Sequence, residues 1–210
     1  MECLRGVLVF RRHVQGNWIF AKLSAYKEEI IGRSTLNIIL LEQALNDEYN
    51  IEEIFDMSEY TYRIGSKIFN FRQGELKNDI QKYFDFNIIH SNICIMERLG
   101  IKPEYRGKGI ARKLIKDIVH NWGSTCGLFV MQPFPLQGEP AGYRHNELGI
   151  DLELEKMEPD MKKATKQLTA YYKSTGFVTI PGYKGLLFYT SAFSNEKMDA
   201  ISLEEFDEED

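Results

Sequence analysis

The chain has 210 residues, of which 43% are hydrophobic and 27% charged, with a formal net charge of −5. That size and composition fit one domain with a sizeable core. No apolar run of 18 residues or more occurs, which argues against a membrane span. The charge is uneven: residues 195–210 hold eight acids and one lysine, a net of −7, so −5 less −7 leaves +2 for the other 194 residues. A near-neutral body offers no broad basic face for nucleic acid. The expected organisation is a domain over residues 1–194 and an acidic, disordered tail over 195–210.

In chain order, residues 6–10 and 18–26 read as strands around the turn His13-Val14-Gln15-Gly16-Asn17. The apolar N-terminal run lacks a basic region and a small-residue cleavage site, so it reads as strand and not as signal peptide. Leu36, Ile39, Leu40 and Leu45 fall at helical spacing and predict a helix over 36–46. Leu76, Ile80, Tyr83 and Phe84 predict another over 75–84. Residues 50–72 are aromatic-rich and match neither period.

The second half is clearer. Residues 92–101 predict a strand stopped by Pro103. Residues 109–122 predict a helix with Ile110, Leu114, Ile115, Ile118 and Val119 on one face, ended by Gly123. Residues 127–132 form an apolar run expected of a strand covered on both faces. A proline-rich loop over 133–149 follows, then a helix over 160–175 ended by a left-handed Gly176, then a hairpin around Pro181-Gly182-Tyr183-Lys184-Gly185. The order implies an α/β or α+β fold with a parallel crossover after residue 92.

Cys3, Cys94 and Cys126 are widely spaced and odd in number, as expected of reduced structural thiols in a cytoplasmic protein. His13, His90, His120 and His145 show no ligand spacing with them, and no metal site is expected.

The stretch Arg106-Gly107-Lys108-Gly109 sits directly before a predicted helix. Helix N-termini leave about four N–H groups without partners. Glycines let such groups approach a phosphate, and Arg106 and Lys108 add charge. The same glycines also suit a merely tight turn. A P-loop is excluded because residue 102 is Lys102, and a dinucleotide fingerprint fails because residue 112 is Arg112.

The run Arg106-Gly107-Lys108-Gly109-Ile110-Ala111 resembles the pyrophosphate-loop signature of the GNAT superfamily of N-acetyltransferases. Residues 97–115 are similar to that family's fourth strand, loop and third helix. Residues 168–180 are similar to its fourth helix and sixth strand. The resemblance covers about residues 90–190. It implies the GNAT fold: a mixed central sheet with helices on both faces and a splayed fourth strand. It also implies acetyl-CoA as cosubstrate, with the backbone of Arg106, Gly107, Lys108, Gly109, Ile110 and Ala111 on its pyrophosphate and the edge Leu99 to Ile101 along its pantetheine arm. Gly100 suits a bulge at the splay.

Tyr172, four residues before Gly176, occupies the position that the resemblance gives to the acid facing the CoA sulfur. A phenol of ordinary pKa, near ~10, would then set the high-pH limb of the rate. Packing on the helix face is the plain alternative for Tyr172 and for its neighbour Tyr171. Glu97 shares the strand parity of Leu99 and Ile101 and is the candidate base or water-positioner, with a structural ion pair as its alternative. His145 and Arg144, in the long loop, are rivals for the acceptor side. The implied activity is acetyl transfer to a small-molecule or peptide amine by direct attack in a ternary complex. The alternative is a non-catalytic CoA-binding module of the same fold. Neither nucleic acid nor membrane is expected as a partner, and the oligomeric state is left open.

Overall fold

A computed structural model describes residues 7–12, 17–24, 27–139 and 151–202, with side chains from residue 30 onward. The first half comprises β1 (Val7–Arg12), β2 (Asn17–Ser24), β3 (Lys27–Ile39), α1 (Leu41–Asn46), α2 (Ile51–Phe55), α3 (Glu59–Ile68), β4 (Phe69–Asn70), β5 (Glu75–Leu76) and α4 (Asn78–Tyr83). The second comprises β6 (Asn92–Ile101), α5 (Ile110–Trp122), β7 (Cys126–Met131), α6 (Met161–Lys173), β8 (Leu187–Thr190) and α7 (Glu196–Asp199).

The main sheet runs β1-β2-β3-β6-β7-β8, so β6 is its fourth strand. Only β6 and β7 pair in parallel, joined by the α5 crossover, and every other neighbour is antiparallel. This is the mixed α/β sheet expected of the GNAT fold.

The period-2 alternation of β6 divides the core. Cys94 and Met96 face α5, meeting Leu114, Ile115 and Ile118. Ile93 and Ile95 face α1–α4, meeting Phe55, Ile64 and Ile80. Each such side chain contributes about 1.5–3 kcal/mol when fully buried. α3 starts at a capping box, in which Ser58 and Thr61 exchange side-chain and backbone hydrogen bonds. α6 starts at Asp160, whose carboxylate accepts from the N–H groups of Lys162 and Lys163.

Several expected elements differ. Residues 36–39 belong to β3, and the helix begins only at Leu41. Leu36 and Ile38 pack toward α5 while Ile39 packs on the opposite face, so the alternation is that of a strand. The helix expected over 75–84 shortens to α4. Only one bridge, Val178 with Phe188, represents the first arm of the hairpin.

The acidic tail is not disordered from residue 195. Asn195 caps α7, Met198 is 3% exposed in the α5-side core, and Lys116 Nζ donates to the Asp199 and Ile201 carbonyls. One apolar residue on one short capped helix is enough to dock it. Residues 203–210 lie outside the described residues, as do His13, His145, Arg144 and Cys3.

Candidate active site

The turn before α5 has the geometry its glycines suggest. Gly107 and Gly109 both have φ of +77°, and Gly109 is the left-handed N-cap of α5. A Cβ built on either would meet nothing within 4 Å, so the turn faces open space. The N–H groups of Gly107, Lys108, Gly109, Ile110 and Ala111 have no partner among the described residues. Unpaired donors at a positive helix end suit an anion.

Arg106 departs from expectation. Its N–H donates to the Pro103 carbonyl at 3.1 Å. Its Nε donates to the Ile101 carbonyl at 3.0 Å, and Nη2 to the Leu152 carbonyl. Its polar groups therefore brace the strand end and the 151–154 segment, which withdraws it from the direct phosphate contacts expected of it. Lys108 is exposed beside the turn, its Nζ 5.5 Å from the Tyr105 ring centre.

From this turn a cavity of about 790 Å³ runs along the edge of β6, bounded by α6 and by the segments after β7. It reaches the place where β6 and β7 part. The two strands pair from Asn92 with Cys126 to Met96 with Met131, and β6 then continues to Ile101 with no β7 partner. This fork is the splay that the fold class implies.

A bulge marks its root. Leu36 pairs with Met96 and Thr35 with Arg98, so Glu97 is the extra residue. The bulge is thus at Glu97 and not at Gly100. Gly100 lets Leu152 approach closely: a Cβ there would lie 2.6 Å from Leu152 Cδ1, and that side chain would have to shift. Past the bulge the parity of β6 switches, and Leu99 and Ile101 pack on the α5 side with the cavity along them.

Glu97 accepts from Asn37 Nδ2 at 3.1 Å and pairs with Arg98 Nη1 at 2.9 Å. Asn37 lies opposite in parity to Leu36 and Ile38, which places Glu97 toward the α3 side of the sheet. Arg98 Nε reaches Glu139 at 2.7 Å, and the side chains of Glu97, Arg98 and Glu139 are only 14%, 27% and 9% exposed. Burial works against the Arg98 charge. The Glu139 hydrogen bond and the charges of Glu97 and Glu139 outweigh it, and the Arg98 pKa rises.

Tyr172 and Tyr171 enter from α6, their rings edge to face at 5.6 Å, and both line the cavity. Burial pushes the Tyr172 phenol up, with smaller contributions from Tyr171 and from Tyr60. The hydroxyl therefore keeps its proton well above the ordinary phenol range. Tyr171 is anchored from outside by Arg112, whose guanidinium lies 5.7 Å from its ring centre and donates to Ser174 Oγ.

With this geometry in place, the chain can be set beside known proteins. Residues 40–131, from the end of β3 through the glycine turn to the end of β7, match the acetyltransferase (GNAT) family. The match covers somewhat less than half of the chain. No curated protein matches it. Similar solved structures include a putative arylalkylamine N-acetyltransferase 7 of the yellow fever mosquito, 14% identical with a TM-score of 0.36, covering 83% of this chain and 64% of that one. Arylalkylamine N-acetyltransferase 2 of Aedes aegypti is 12% identical with a TM-score of 0.36, covering 82% and 73%. A KacTA–DNA complex is 13% identical with a TM-score of 0.40, covering 85% and 70%. Nothing about substrate or partner follows from likenesses this distant.

Around the fork, Tyr60, Gln132, Arg98 and Glu139 carry no clear signal in the sequence. Tyr60 reaches the root of the fork from α3. Its hydroxyl donates to the Met96 carbonyl at 3.5 Å and accepts from the Gln132 N–H. Burial pushes its pKa up, opposed by that N–H. The only sequence signal was a polar residue, Gln132, closing an otherwise apolar strand. Cys94 and Cys126 are buried free thiols in the α5-side core, and burial pushes Cys126 up to about 12. Among the described residues, no cluster of His, Cys, Asp and Glu is placed to hold a metal, and no helix is long and apolar enough to cross a membrane.

Proposed function

We propose that this protein is a cytoplasmic, acetyl-CoA-dependent N-acetyltransferase that acts on an amine by direct attack in a ternary complex. The observation that carries this reading is the continuity of one cavity from the unpaired N–H groups at 107–111 to the fork where Glu97 and Tyr172 stand. The donors at Gly107, Lys108, Gly109, Ile110 and Ala111 would hold a pyrophosphate, and the unpaired β6 edge from Leu99 to Ile101 would hold an amide-bearing arm. Acetyl-CoA, when bound, supplies the acetyl thioester.

The chain's own part is to position and to handle protons. Tyr172 keeps a proton at its hydroxyl for the leaving sulfur. Glu97, held by Asn37 and Arg98, takes up the proton that the amine sheds, directly or through water. No covalent nucleophile is needed, and the buried thiols of Cys94 and Cys126 are poor candidates for one.

Thermal denaturation with and without acetyl-CoA checks the binding half. A saturating ligand should raise the melting temperature, by about 2.7 kcal/mol of linkage at a hundredfold excess over Kd. Gly109→Glu should abolish the rise by placing a carboxylate among the donors. Gly109→Asn, which tolerates positive φ, should keep much of it. Thiol release over a panel of amines checks the catalytic half. A melting shift with no turnover on any amine would favour a non-catalytic CoA-binding module.

A further inference from the structure

The fork holds one polar atom that neither the fold nor the proton-handling pair uses. Gln132 Oε1 is buried, lines the cavity and has no hydrogen-bond partner. A buried unpaired acceptor is destabilising, and it calls for a donor that arrives with a ligand. The backbone at this point is fixed, because the Gln132 N–H donates to the Tyr60 hydroxyl, which in turn donates to the Met96 carbonyl.

Its side of the sheet tells which ligand. Met131 packs toward α5 and Val130 toward α1–α4, so strand alternation carries Gln132 to the α3 side. Glu97 lies on that side too. The anion-binding turn and the Leu99–Ile101 edge lie on the α5 side. A donor reaching Gln132 thus approaches from across the fork, away from where the pyrophosphate and its arm would rest.

We propose that the Gln132 carboxamide, set in place by Tyr60, accepts a hydrogen bond from the amine acceptor and thereby orients its nitrogen at the fork. The inference rests on the transferase reading. A primary ammonium carries three N–H groups. One gives its proton to the Glu97 carboxylate, directly or through water, and so frees the lone pair that attacks the thioester; a second donates to Gln132 Oε1; the third N–H and the substrate carbon complete the nitrogen. A primary or a secondary ammonium has the two N–H groups that this arrangement needs, and a tertiary one does not. Tyr60 is a positioning residue: it touches the backbone of Gln132 and Met96 and acts through them.

The experiment measures KM for the amine and for acetyl-CoA separately, by thiol release, using the best amine of the panel. Gln132→Met removes the acceptor at nearly equal length. It should raise the amine KM about tenfold or more, leave the acetyl-CoA KM within about twofold, and leave the melting temperature unchanged or higher, because an orphaned polar atom is gone. Gln132→Glu keeps an oxygen at that position and should retain amine binding. A rise in the acetyl-CoA KM in place of the amine KM would assign the donor to the pantetheine arm and overturn the proposal. Unchanged amine KM in both variants would overturn it too. A wild-type protein that transfers to no amine defeats the transferase reading itself, and is recognised before any variant is made.

Discussion

The two halves of β6 differ more than any two neighbouring segments of the protein. From Ile93 to Met96 every residue is buried and paired on both sides, with β3 on one and β7 on the other. From Glu97 to Ile101 the strand keeps β3 but has lost β7, carries two charged residues, and lines a cavity. A single extra residue separates the halves. The bulge at Glu97 switches the side-chain parity and turns a packed strand into the open edge of a cavity, while Tyr60 satisfies the carbonyl and N–H that parting would leave unpaired. One half is stable because nothing is left over. The other borders a cavity because something is.

The sharpest way to break this comparison is to show that the open half performs no chemistry. Tyr172→Phe keeps the ring and its packing and removes the proton. Turnover should fall by about 10²–10⁴-fold, the range of general acids, with acetyl-CoA affinity retained. Tyr171→Phe should be mild, since its ring contacts to Arg112 and Tyr172 survive. Equal turnover for Tyr172→Phe and wild type, with chemistry limiting, would reduce Tyr172 to packing.

The closed half should answer in stability. Ile95 is fully buried between β6 and the α1–α4 core. Ile95→Ala should cost about 2–5 kcal/mol, read as a lower denaturant midpoint, with catalysis per folded molecule little changed. Glu97→Gln should show the reverse pattern. Arg98 keeps Glu139 as partner, so stability should fall by no more than about 1 kcal/mol, while kcat/KM for the amine drops.

Deleting residues 195–210 is a milder perturbation of the α5-side core. A disordered tail would give almost no effect, but Met198 is buried and Lys116 donates to two carbonyls of the segment. A loss of about 1.5–3 kcal/mol is expected, the contribution of one buried methionine side chain. Deleting only 203–210 leaves these contacts intact and separates the docked segment from the acidic run.

What could be read without coordinates follows the same division. The run β6, turn, α5, β7 announces itself locally: an apolar strand, glycines before a helix, five apolar residues on one face, then a second apolar strand. The end of β3 was misread because Leu36, Ile39 and Leu40 satisfy helical spacing and strand alternation at once, and only pairing with Ile93 and Met96 decides between them. Glu97 and Tyr172 could be picked out by position relative to the turn and to Gly176. Tyr60 and Gln132 could not. Their roles exist only where α3 meets the fork, a contact between residues far apart in the chain. Arg106 shows the converse: its charge is visible in sequence, while the carbonyls of Ile101 and Leu152 that engage it are not.

The smallest expected effect is one of pH. An ordinary tyrosine ionises near 10.0, and burial pushes Tyr172 above that. Tyr172 should therefore stay protonated through the working range, so the high-pH limb of turnover does not come from its ionisation near pH 10, contrary to the sequence expectation. The same shift acts on stability. Below pH 10 both folded and unfolded chains hold the proton, and the full stability is present. Above it the unfolded chain releases a proton that the folded chain keeps, so stability falls as pH rises toward the folded value. Each such tyrosine steepens that fall by at most about 1.4 kcal/mol per pH unit. Burial pushes Tyr60 and Tyr183 up as well, so the wild-type loss should be steeper than one group can produce. Denaturant midpoints between pH 9 and 11 check this. Tyr172→Phe should match wild type at pH 9 and lose less by pH 11. Parallel curves for the two proteins would mean that the Tyr172 hydroxyl ionises as freely in the fold as out of it, and that water reaches the fork where the closed half of β6 ends.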